Sequence, residues 1–198
     1  MPESDRSKWL AIAPSGPAGG HMVSNVDLVT QAPYADLCWA ACATMVLRHL
    51  RLVVDLPDVV TATYGHFVDQ TAWPQDVYMT IYKLNCLYLS RAQLIAEGDT
   101  VGSVWVGNWL AADWPLQPYI RWNDGTGYHT IILGGVYADG RVRVLDPASG
   151  EDAIHTFEDM MQAYQQGSLE GLWYDIGFTK RALTFSQGPV ENEGSAND

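Results

Sequence analysis

The residue best equipped to do chemistry in this chain is Cys38. It stands in the run Gln31-Ala-Pro-Tyr-Ala-Asp-Leu-Cys38-Trp39-Ala40-Ala41, where an irregular segment turns into a long apolar helical pattern. A helix start carries free backbone N–H groups and a partial positive charge. Both stabilise a thiolate, the nucleophilic form of cysteine. Asp36 is a suitable N-cap, which puts Cys38 at the second helical position. Its own N–H then lacks an intrahelical acceptor and can meet a developing oxyanion.

Thiol attack on a carbonyl also needs a base, a group that orients the base, and a second oxyanion donor. His129 is the candidate base. It opens the apolar stretch Thr130-Ile-Ile-Leu-Gly-Gly-Val directly after a glycine-rich turn, which places a polar ring at the rim of a core. His21, His49, His66 and His155 lack that context. Asp146 is the candidate orienter, on a parity argument. Across an even-numbered hairpin loop, opposed positions sum to an odd number and share a face. A four-residue loop at 137–140 sets Asp146 opposite Ile131 and diagonal to His129, about 7–8 Å apart between backbones. Gln31, just upstream of the nucleophile, is the candidate side-chain donor to the oxyanion.

These residues need elements to hold them. The pattern predicts a buried central helix over 37–50, a short helix bracketed by Asp55, Pro57 and Gly65, and another from Pro74 to about 84. A further short helix is expected over 103–112. The period then changes. Residues 116–122, 128–137, 141–145 and 172–178 read as strands, with turns at 123–127 and 137–140. Thr156, with Asp159 three residues on, starts a late helix through about 166. Helices followed by an antiparallel sheet make an α+β fold.

Composition narrows the function. The chain has 198 residues, enough for one domain with a sizeable core, and 47% of them are apolar. Residues 1–22 read as a flexible leader, 23–185 as the folded domain and 186–198 as a disordered tail. Gly19-Gly20 reads as linker chemistry rather than a self-processing site. Eleven basic against 23 acidic residues give a net charge of −12, which argues against nucleic acid or an anionic membrane as partner. No apolar run is long enough for a membrane span, and no conventional signal peptide is read. The expected location is the cytoplasm, or outside the cell by a route without such a signal. Cys42 and Cys86 read as small buried hydrophobes, and the three cysteines form neither a disulfide framework nor an evident metal cluster.

In chain order, Gln31, Cys38-Trp39, His129 and Asp146 resemble the papain-like cysteine peptidases. The likeness is to compact bacterial branches: secreted plant-pathogen effector proteases of papain fold, and bacteriocin-leader (double-glycine) peptidases. It rests on Gln-x6-Cys-Trp-Ala-Ala, on Trp114-Pro115-Leu116, on Tyr128-His129 with its Gly-Gly strand, and on Val144-Leu145-Asp146-Pro147. It spans about residues 25–178. The resemblance implies a helical lobe with the nucleophile helix packed on a C-terminal sheet lobe, and the cleft between them. It implies a Cys38–His129–Asp146 triad with Gln31 as oxyanion donor, no cofactor or metal, and a protein or peptide substrate. Two features depart from papain itself: Asp36-Leu37 replaces the Cys-Gly-x that leads into its Cys-Trp, and the third triad member is Asp rather than Asn.

Six tryptophans (Trp39, Trp105, Trp109, Trp114, Trp122 and Trp173) read mainly as core packing between such lobes. Trp173 is expected to shield the His129–Asp146 pair. The loops at 64–73 and 97–107 are expected to build the specificity pockets. The same thiol site also admits deamidation or transamidation of a protein target, as in a toxin or effector. A non-catalytic binding domain is the third reading.

Overall fold

The computed structural model describes residues 20–96 and 99–177. Most of the expected leader, and the whole expected tail, lie outside them. The described chain opens with a short strand, β1 (Gly20–Met22), and an irregular segment that leads to α1 (Cys38–His49). Next come α2 (Leu56–Tyr64), a π-helical turn at Asp76–Ile81, β2 (Asn85–Ser90), α3 (Arg91–Ala96) and α4 (Asp99–Ala111). The C-terminal part is β3 (Gln117–Trp122), β4 (Tyr128–Thr130), β5 (Ile132–Tyr137), β6 (Val142–Asp146), β7 (Glu151–His155), α5 (Phe157–Ala163) and β8 (Gly167–Gly177). This is the α+β order expected from the pattern.

α1 is apolar on every side, and every residue from Trp39 to Leu47 is buried. It packs between α2 and β4, so the helix that opens with Cys38 is the centre of the core. α2 starts where Asp58 Oδ2 accepts the Asp55 N–H at 2.8 Å, and it ends at Gly65, whose φ of 80° is the left-handed C-cap. Thr156 Oγ1 caps α5 by accepting the Asp159 N–H at 3.0 Å.

All strand pairs are antiparallel, in the orders β1-β5-β6-β7 and β2-β8-β3-β4. The two groups share one ribbon. Residues 128–137, expected as a single strand, bend at Ile131. The pairing opposite β3 nevertheless keeps one register from Arg121–Tyr128 through Tyr119–Thr130 to the Leu116–Leu133 bridge. Beyond that bridge the same edge is taken by β1, which pairs Met22 with Gly135 and Gly20 with Tyr137. The leader boundary therefore moves: Gly20–Met22 is a sheet strand.

The β5–β6 hairpin differs from expectation and then recovers. Near the turn Val136 pairs with Val142 and Gly135 with Arg143, one residue out of the predicted register. A bulge between Leu133 and Gly135 absorbs the extra residue, and Leu133–Val144 and Ile132–Leu145 return to the expected alignment. Both glycines stand where a Cβ would crowd a neighbouring side chain. A Cβ on Gly134 would lie 2.7 Å from Leu145 Cδ1, and one on Gly135 would lie 2.7 Å from Met22 Sδ.

Candidate active site

Cys38 is the first residue of α1, and Leu37, with φ −101°, is its N-cap. The expected cap, Asp36, is not used, and no side chain caps this helix. Asp69 is the physical reason. Its carboxylate accepts the N–H of Ala35 at 3.1 Å and of Asp36 at 3.0 Å, holding the bend that leads into Leu37. The Asp36 side chain is left exposed at the cleft. Cys38 is half-buried, with the positive end of the central helix behind it. Cys42, one turn on, is fully buried; its thiol donates to the Thr130 carbonyl at 3.3 Å, and burial pushes its pKa well up. Burial likewise pushes Cys86 up to about 12. Both are packing residues, as expected, and Cys38 is the thiol with access to solvent.

His129 lies in the middle of β4 and Asp146 is the last residue of β6. One step beyond the Ile132–Leu145 pair, Asp146 falls opposite Ile131 and diagonal to His129. The bulge restores the shared face that parity requires. His129 Nε2 and Asp146 Oδ1 are 2.8 Å apart, with the residues 5% and 1% exposed. That contact leaves Nδ1 for Cys38. Burial opposes a charge on His129, but hydrogen bonds with Asp146 and Cys38 outweigh it and raise the pKa to about 9. Burial also opposes the Asp146 carboxylate; hydrogen bonding and the charge of His129 outweigh it and lower the pKa to about 2. Both shifts favour the charged forms, an imidazolium facing a carboxylate.

Four further groups fix Asp146. The Ala148 N–H donates to Oδ1 at 2.8 Å and the Ser149 N–H at 3.4 Å, while Tyr164 Oη donates to Oδ2 at 2.8 Å and Gln165 Nε2 at 3.1 Å. No local pattern signals this role for Tyr164 or Gln165, because they arrive from the turn after α5. Trp122 is the ring that covers the base, stacked on His129 at 5.5 Å between centroids and 12° between planes. Trp173, expected there, packs instead against Trp73, Tyr88 and Tyr119. Strand parity explains the exchange. Trp122 is in β3, whose residue Ile120 pairs with His129, so residues 120 and 122 alternate onto the face of that histidine.

Gln31 is buried, but it is not a wall of the cleft. Its Nε2 donates to the carbonyls of Tyr34 at 3.0 Å and Ala35 at 2.8 Å, which commits both amide hydrogens. Its Oε1 is buried with no protein partner. Its backbone N–H bonds Pro147 O at 2.9 Å, tying the segment before Cys38 to the residue after Asp146. The structure brings Cys38, His129 and Asp146 into one line, and it places Gln31 beneath the loop that precedes them.

A cavity of about 470 Å³ opens over Cys38 and His129. One wall is Ala35, Asp36 and 71–74, and the other is Tyr119, Trp122 and 126–128. Part of the 64–73 segment thus lines the cleft, as expected. Of the 97–107 segment, the described side chains 104–107 are not in that lining; they belong to α4, which packs on β5 and β1, and the rest of the expectation lies outside the described side chains. Trp105, Trp109 and Trp114 cluster with Tyr174, away from the cleft wall. Trp73, 56% exposed, is the wall residue that sequence reasoning did not single out.

No protein-family model matches this sequence, and no curated protein matches it. Among solved structures, the chain is similar to a crystal structure from Bacillus anthracis provisionally described as a C39-like peptidase. The TM-score is 0.53 at 16% identity, over 78% of this chain and 96% of that one. At that identity the likeness is one of fold. Among the described residues, no helix is long and apolar enough to cross a membrane.

Proposed function

We propose that this chain is a cysteine peptidase of papain-like type, hydrolysing peptide bonds through Cys38, His129 and Asp146. The observation that carries the reading is the hydrogen-bonded line from a half-buried thiol at a helix start, through an imidazole, to a carboxylate fixed from both oxygens. The fold shared with a C39-like peptidase is consistent with it.

The chemistry follows from the geometry. The Cys38 thiolate attacks the substrate carbonyl carbon, forming the C–S bond and moving the carbonyl π pair onto oxygen. The Cys38 N–H, free at the first helical position, donates to that oxyanion. As the intermediate collapses the C–N bond breaks, and the leaving amine takes the proton from His129. Neutral His129 then removes a proton from water, which attacks the thioester and releases the acid and the Cys38 thiolate. Asp146 stays ionised throughout, orienting the ring and stabilising its charged form. Gln31 adds a second donor only if substrate draws its amide away from Tyr34 or Ala35.

The test is alkylation of the intact protein by iodoacetamide between pH 4 and 9, with the label located by mass, beside His129→Ala. The expected result is rapid labelling of Cys38 well below the free-thiol range, lost in His129→Ala. In a screen of protein-derived peptides, wild type yields fragments and Cys38→Ala yields none. Slow labelling with an ordinary thiol pH dependence overturns the reading.

A further inference from the structure

The cleft has an uneven chemistry that the proposed hydrolysis does not use. Its walls carry exposed aromatic faces, with Trp73 56% and Tyr128 53% exposed. These faces form one surface: Tyr119 stacks on Tyr128 at 4.7 Å and 9°, and Trp73 lies 5.4 Å from Tyr119. The carboxylates around it outnumber the cations: Arg121, exposed and opposite Tyr128 in the β3–β4 ladder, stands outside the cavity lining. Asp36 is itself a wall residue and is exposed. Asp69 stands directly behind it, bonded to the Asp36 N–H. On the opposite wall Asp124 Oδ1 accepts the N–H of Thr126 at 2.9 Å and its hydroxyl at 2.7 Å, and Thr126 lines the cleft. Among the described residues, no lysine or arginine lines this cavity. The cation within it, His129, is already faced by Asp146.

Flat aromatic faces beside a carboxylate suit a side chain with an apolar stem and a positive head. We infer that this cleft selects peptide segments bearing a lysine or arginine, whose stem lies on the Trp73–Tyr119–Tyr128 surface and whose head faces Asp36. Acidic residues are rejected at the same position, because carboxylates on both walls repel them. The inference names the substrate class of the proposed peptidase and rests on that reading only for the bond that is cut. The charge preference itself needs no turnover.

The experiment separates the two. Cys38 is modified with a cationic thiol reagent, 2-aminoethyl methanethiosulfonate, and with its anionic partner, 2-sulfonatoethyl methanethiosulfonate. Each rate is divided by that for glutathione. Wild type is expected to favour the cation by roughly tenfold at low salt, a preference compressed at high salt. Asp36→Asn lowers the ratio several-fold, and Asp36→Lys lowers it further. The rate with iodoacetamide, which is neutral, corrects for any change in the Cys38 thiolate itself, and melting temperatures report that all three proteins are folded. In parallel, peptides cleaved from a protein digest are scored for basic residues near the cut. A ratio near one that Asp36→Asn does not move overturns the inference, as do cut sites without basic enrichment. If no peptide is cut but the ratio follows Asp36, the charge selection stands and the peptidase reading falls.

Discussion

The two halves of the site are built to different standards. On the sheet side Asp146 accepts hydrogen bonds on both oxygens, from His129, the Ala148 N–H, Tyr164 and Gln165, and it is 1% exposed. Every feature that aims the base is in place without substrate. On the helix side no side chain caps α1, and the loop before Cys38 is held by Asp69, an exposed residue. Gln31 there has its donors committed to Tyr34 and Ala35 and its acceptor unpaired. The base is preorganised, and the oxyanion side still has an adjustment to make when substrate arrives. Disturbing the first half therefore costs charge and stability together, whereas disturbing the second costs mostly loop order.

The sharpest way to break that contrast is Asp146→Asn. The folded pKa of His129 is raised from 6.5 to about 9, so its contribution to stability is complete below 6.5 and lost as pH rises through about 9. The folded pKa of Asp146 is lowered from 3.8 to about 2, so its contribution is complete above 3.8 and lost as pH falls through about 2. These are two views of one interaction. Asp146→Asn should lower kcat/KM on the order of 10²–10⁴-fold. It should also move the alkaline limb of the pH–rate profile from about 9 toward 6.5. In thermal melts, the loss relative to wild type should be greatest between 3.8 and 6.5 and shrink above it. A difference that stays flat as pH rises from 6.5 through about 9 contradicts an ion pair.

Gln31→Ala probes the other half. Its expected effect on kcat/KM is roughly tenfold, below the usual cost of losing a preorganised oxyanion donor. Its melting temperature should also fall slightly, because two part-buried carbonyls lose their donor. A drop of about 10³-fold with an unchanged melting temperature would mean that the amide already faces the oxyanion. The smallest effect sharpens the comparison within the sheet. Trp122→Ala uncovers the His129 ring and should shift the alkaline limb, while Trp173→Phe should leave it in place. Equal shifts in the two pH profiles would remove the special role given to Trp122.

Much of this was legible because it is local. The burial of α1, the caps of α2 and α5, and the ribbon 128–137 follow from residue types within one turn or one alternation. What escaped has little apolar pattern or depends on distant partners. β7, Glu-Asp-Ala-Ile-His, is an edge strand whose side chains are exposed or half-buried, so pairing with β6 rather than burial defines it. β8 begins at Gly167, earlier than expected, because Gly167 and Gly171 read as breakers. In the sheet they admit Ile120, Trp122 and the Tyr88 ring, all within 3 Å of where a Cβ would stand. Within the site, nothing near residue 164 or 165 announces that it serves Asp146.

The β5–β6 turn carries a further lesson, about insertions and deletions. Its tip is exposed and polar, the kind of place where an extra residue is ordinarily harmless. Here the turn and the Gly134 bulge act as paired length adjusters: one displaces the register by a residue and the other puts it back. Adding or removing a single residue at the tip, without a matching change at the bulge, would turn Asp146 to the opposite face of its strand and strand His129 without its carboxylate. Relatives of this chain that vary in the length of this hairpin should do so by even numbers, or by changing both places at once.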